Sequence, residues 1–156
     1  MNKKINFSSL LKKSNSLTDI FIYYKKNFPN NKFLFKKKEN DWEGKSFLNI
    51  GLAVDKITSK LQELGVQRGD RVFLLSSNRI EWVEFDLAIM HSGAITVPSF
   101  VTNNVTDNKF IIKDCHPKVI ILENENIYLK NSSFLKNFNK SKIIIIEKTK
   151  KFLDYY

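Results

Sequence analysis

The chain has 156 residues, of which 42% are hydrophobic and 13% aromatic, enough apolar material for one cored domain and too much for a disordered chain. A formal charge of +10, from 26 Lys plus Arg against 16 Asp plus Glu, raises the question of an anionic partner such as nucleic acid or a lipid surface. Arginine, whose planar fork reads phosphate and guanine, stands only at Arg68, Arg71 and Arg79, so the scattered lysines read as a solvated face and nucleic acid is not an expected partner.

Residues 1–16 are polar and Lys-rich and are expected to form a loose N-terminal arm. Ser and Lys interrupt its apolar residues too often for a secretory signal. No run in the chain approaches the ~18 apolar residues that span a bilayer, which leaves only peripheral membrane contact open. Leu17 to Phe28 reads as a helix with Ile20, Phe21, Tyr24 and Phe28 on one side and Thr18 near its start, stopped by Pro29 and two Asn. Lys32 to Lys38 alternates Phe33 and Phe35 with lysines in the period of a strand, and Glu39-Asn40-Asp41 turns the chain toward Trp42, which predicts a small hairpin.

Ser46 is a good N-cap for the longest periodic element, in which Phe47, Ile50, Val54, Ile57, Leu61 and Leu64 recur three or four apart. Gly65 suits the left-handed residue after that helix, and Gly69 the second bend before the strand Val72 to Leu75. Asn78 and Glu81, three apart, resemble a capping box that opens a helix carrying Trp82, Phe85, Leu87, Ile89 and Met90, closed by Gly93. Ala94 to Val97 is the next short strand, ended by Pro98. Thr106 then caps a helix to about Cys115, which Pro117 prevents from continuing.

Cys115, the single cysteine, excludes an internal disulfide and fits a reducing compartment, so the expected location is cytoplasmic. Val119 to Leu122 and Ile143 to Ile146 are apolar on consecutive residues, as in strands buried on both faces of a parallel sheet, with a helix at about Asn126 to Phe138 between them. Helix and strand alternate from Ser46 onward without linker or repeat. This predicts an α/β fold, a wound, largely parallel sheet with flanking helices, in a single unit over residues 17–156.

Motifs that carry chemistry are scarce. Gly44-Lys45-Ser46 resembles the end of a phosphate-binding P-loop, but that motif needs its first glycine at position 39, which is Glu39, and so a hairpin-to-helix junction is expected instead. The five glycines, at 44, 51, 65, 69 and 93, form no GxGxxG. Cys115 and His116 are adjacent, His91 is isolated, and no second Cys or third His completes a tetrahedral metal site. No GxSxG elbow is present, and Asp19, Asp41, Asp55, Asp70, Asp86, Asp107 and Asp114 are dispersed without a marked acid/base pair. No catalytic, cofactor-binding or metal residue is assigned.

The ordered stretch from Leu64 to Pro98 carries more than periodicity does. Leu64-Gly65-Val66, Gly69-Asp70-Arg71-Val72, Asn78, Glu81-Trp82 and Gly93-Ala94 through Val97-Pro98 resemble the N-terminal part of AMP-forming acyl-CoA synthetases, the adenylate-forming ligases, with the long-chain fatty acid members most similar. The likeness runs from about Trp42 to Leu122 and more weakly to Glu147. Two local departures are Ser46-Phe47 with Asn49, where the family often has Thr-Tyr and an acidic residue, and Ser99 to Asn104, where many members carry a Pro-rich loop.

The resemblance implies ligases that make an acyl-adenylate from ATP and a fatty acid, with magnesium, and then pass the acyl group to coenzyme A. The family's Ser/Thr/Gly-rich phosphate loop with its lysine, its aromatic-Thr-Glu segment, its ribose-binding aspartate and its C-terminal catalytic lysine all lie beyond the matched region. The expectation is therefore the N-terminal portion of the large AMP-binding domain, truncated before the phosphate loop, inactive and without a cofactor by itself. Its partner would be the missing remainder of the ligase domain. Two other classes stay open, a self-sufficient small α/β binding or interaction module without catalysis, and a basic nucleic-acid-binding protein motivated only by the charge.

Overall fold

A computed structural model of the protein describes residues 7–139 and 142–147. The chain divides into two compact units, Met1–Ala53 and Val54–Tyr156, and the division falls within the helix Phe47–Glu63. Residues 1–6 of the expected arm, and 148–156 at the other end, lie outside the described residues.

The first unit begins with helix α1 (Phe7–Lys13), so much of the segment read as a loose arm is helical. Leu10 is buried, and Ser14 closes the helix by donating its hydroxyl to the Leu10 carbonyl at 2.9 Å. Helix α2 (Leu17–Asn27) is capped by Ser16, whose Oγ accepts from the Asp19 amide, and the Thr18 hydroxyl, near the start as expected, bonds to Ser16. Strands β1 (Lys32–Lys38) and β2 (Asp41–Ser46) pair antiparallel around a turn in which Glu39 is left-handed at φ 49°. Phe33 stacks on Phe47 at 4.5 Å between centroids, Tyr24 stacks on the same ring at 5.2 Å, and Phe21 meets both phenyl rings at a tilt. Aromatic burial is thus the core of this unit.

Helix α3 (Phe47–Glu63) follows the apolar stripe of its sequence, with Ile50, Val54, Ile57 and Leu61 all at or below 3% exposure. Ser46 Oγ accepts from the Asn49 amide as its cap. At its end Gly65, at φ 79°, donates to the Gln62 carbonyl while Val66 donates to Leu61. This crossed pair of bonds satisfies carbonyls that a helix end leaves bare, and it needs the left-handed residue that glycine adopts without strain. Gly93 repeats the device after the next helix, with bonds from Gly93 to Met90 and from Ala94 to Ile89.

The second unit is built on a four-stranded sheet in the order β4-β3-β5-β6, every neighbouring pair parallel. Strands β3 (Arg71–Leu75), β5 (Val119–Leu122) and β6 (Ile143–Ile145) carry the continuous apolar runs, and their core residues are essentially inaccessible to solvent. Edge strand β4 (Ile95–Ser99) runs through Pro98, where the sequence suggests it stops. An edge position tolerates the missing N–H of proline.

Between the strands lie α4 (Ile80–His91), α5 (Val105–Cys115), α6 (Glu125–Lys130) and α7 (Ser132–Leu135). Asn104, not Thr106, caps α5 by accepting from the Asp107 amide at 2.8 Å, and His116 ends it in the left-handed region that Gly occupies elsewhere. The single helix expected near Asn126 to Phe138 is instead α6 and α7, broken at the buried Asn131. No helix among the described residues is long and apolar enough to cross a membrane.

Candidate functional site

In an open parallel sheet, ligands bind beyond the carboxyl ends of the strands, at the point where successive connections leave in opposite directions. Here β3 connects outward to β4 on one flank, and β5 connects to β6 on the other, so that point lies between the carboxyl ends of β3 and β5. The loops that reach it are Ser76 to Arg79 after β3, and Glu123 with Asn124 after β5.

A carboxylate from the chain itself bridges these loops. Glu123 Oε2 accepts from the Ser77 amide at 2.5 Å and from the Ser76 hydroxyl at 3.2 Å, bridging the two loops. Burial alone would push the Glu123 carboxyl up, but the donors on Ser77 and Ser76 and the nearby Arg79 guanidinium together hold it below its ordinary value. Arg79 in turn donates from Nε to Glu81 at 2.9 Å and from Nη1 to Glu147 at 3.1 Å.

The expected Asn78–Glu81 capping box does not form. Arg79, in place of Asn78, is the extended N-cap of α4 and makes no side-chain cap bond, since a guanidinium has no acceptor for a backbone N–H; its Nε donates to Glu81 instead. One guanidinium therefore faces three carboxylates among the described residues, a surplus of negative charge that disfavours a polyphosphate at this spot.

A second polar cluster lies at the carboxyl end of β4. Ser99 donates its hydroxyl to Asn108 Oδ1 at 2.7 Å, Asn108 Nδ2 donates to Asn131 Oδ1 at 3.1 Å, and Asn131 Nδ2 donates to the Ile127 carbonyl at 2.8 Å. All three side chains are buried, so the relay ties β4, α5 and the α6–α7 break into one framework.

The other residues singled out in the sequence are dispersed. Gly44 and Lys45 lie in β2 and Ser46 caps α3, a hairpin-to-helix junction with the Phe35 ring against Gly44. His91 ends α4, and Cys115 and His116 end α5. Burial raises the half-buried Cys115 thiol above its ordinary value. Asp19, Asp41 and Asp70 accept from the backbone amides of Asn15, Trp42 and Gln67, as turn and cap devices. No group of three or more His, Cys, Asp or Glu side chains that could hold a metal ion forms among the described residues.

The family model described as AMP-binding enzyme matches residues 24–155. The chain belongs to the AMP-binding enzyme family.

Among curated members, it is 38% identical over 66 residues to the long-chain-fatty-acid–CoA ligase FadD15 of Mycobacterium tuberculosis, a match covering 42% of this chain and 11% of that one. It is 28% identical over 90 residues to fatty acyl-CoA synthetase A of Dictyostelium discoideum, covering 58% of this chain and 14% of the relative. The matched segments thus span only a small part of these relatives. The crystal structure of a fatty acid AMP ligase from Legionella pneumophila superposes with a TM-score of 0.68 at 22% identity, covering 81% of this chain and 22% of that one, and shares the α/β fold.

Within this AMP-binding framework, Glu123, Ser76, Ser77 and the Arg79–Glu147 pair escaped the motif reading. The signal available for them is positional, since Ser76 and Glu123 are the first polar residues after the apolar runs of two neighbouring parallel strands.

Proposed function

We propose that these residues supply the opening framework of an AMP-forming ligase that activates a long-chain fatty acid with ATP and transfers it to coenzyme A, and that they form no acyl-adenylate by themselves. The match to the AMP-binding family across residues 24–155 carries the first part, together with curated relatives named as long-chain fatty acid–CoA ligases. The second part is supported by the crevice between β3 and β5, where the Ser77 amide is already occupied by Glu123 and Arg79 is held by carboxylates. It is supported also by the sequence, which contains no Ser/Thr/Gly-rich phosphate loop with its lysine.

Two experiments separate the parts. ATP–pyrophosphate exchange with a panel of long-chain fatty acids should show no turnover by this chain, and turnover overturns the claim of inactivity. Placing residues 24–155 into the FadD15 ligase in exchange for its own corresponding segment should preserve acyl-CoA formation by that enzyme. A folded but inactive chimera overturns the framework reading.

A further inference from the structure

We infer that the β1–β2 hairpin is a docking surface for an anionic membrane. The two faces of this hairpin differ in chemistry. On one, Lys36 pairs with Glu43 and Lys38 with Asp41 across the ladder, opposite charges that compensate in water. On the other, Phe35 pairs with Gly44 and Lys37 with Trp42, and no acid is interposed.

At its root the hairpin packs Phe33 into the aromatic core of the first unit, against Phe21 and Phe47. Toward the tip, Phe35 is 53% and Trp42 61% exposed. Gly44 keeps this face flat, because a Cβ there would come within 2.8 Å of the Phe35 ring. The result is two bare aromatic side chains beside Lys37, in a strand that ends in the exposed run Lys36-Lys37-Lys38.

The chemistry of the face selects the occupant. A protein core covering Phe35 and Trp42 would have to desolvate the Lys37 ammonium between them, at high cost without a buried counter-charge. A bilayer interface accommodates both groups, the indole at headgroup depth and the ammonium on lipid phosphate. Nucleic acid would accept the lysines, but the first unit contains no arginine to read phosphate in forked geometry. With a formal charge of +10, the chain as a whole is also drawn to an anionic surface.

The test is co-sedimentation of the full chain with vesicles of equal parts phosphatidylserine and phosphatidylcholine, against vesicles of phosphatidylcholine alone. Selective partition onto the anionic vesicles, weakening as salt is raised, is expected. Replacing Lys37, the lysine on the aromatic face, by Glu should reduce partition at least about fivefold, the contribution of one lysine near an anionic surface. In a Trp82→Phe background, Trp42 emission should shift to the blue on binding, and Trp42→Ala should weaken partition while the far-ultraviolet circular dichroism stays unchanged. Partition that is equal on neutral vesicles, or unaffected by Lys37→Glu or Trp42→Ala, overturns the inference. So does binding to RNA or DNA with none to vesicles, which would assign the lysines to nucleic acid.

Discussion

Glu123 shows how one carboxylate links two loops and sets a pH dependence. Its pKa is depressed in the folded chain, so the stabilisation it gives is complete above the ordinary glutamate value of about 4.3 and is lost as pH falls through the lower native value. Glu123→Gln keeps the shape and an acceptor oxygen but loses the charge. It should cost up to about 1 kcal/mol at neutral pH, tempered by the solvent access of the group. Urea unfolding at neutral and acidic pH checks this, with the gap between the two proteins expected to close in acid. Gly65 and Gly93 make a second comparison at this scale. Both sit near φ 78°, where an L side chain costs roughly 1 kcal/mol, but a Cβ on Gly93 would also press at 3.3 Å on Arg68, whereas one on Gly65 meets only lysine ends at 3.7 Å or beyond. Thermal melts of the two alanine variants should therefore place Gly93→Ala below Gly65→Ala.

Asn131 decides the form of an element. Its side chain caps the Ile127 carbonyl while its oxygen receives Asn108, so the chain breaks there instead of running on as one helix. Asn131→Ala should leave the Asn108 amide buried and without this acceptor, costing about 1–3 kcal/mol, read as a lower urea midpoint at unchanged slope. The same residue shows why elements differ in how well a sequence discloses them. Strands β1 and β5 and the stripe of α3 are legible because their signal is local and periodic, set by which residues face the core. The Arg79–Glu147 pairing at the start of α4, the break at Asn131 and the passage of β4 through Pro98 depend on partners far along the chain or on an edge position, and local spacing does not encode those. The Ser76–Glu123 contact, 47 positions apart, becomes visible only once β3 and β5 are known to be neighbours.

On the scale of the whole molecule, the wound parallel sheet is readable from the alternation of helices and doubly apolar strands, and the family from one ordered stretch of glycines, Asp-Arg and Glu-Trp. The division into two units is not, since α3 crosses it as a continuous helix with an unbroken stripe. The strand order has a further consequence, for synthesis. Strand β3 is flanked by β4 and β5, and of these β4 leaves the ribosome first, so one side of Val72 to Leu75 waits until residues 119–122 have been translated. During that interval a greasy ribbon with open amides and carbonyls is carried on the nascent polypeptide, the period in which a holdase would matter most to its fate.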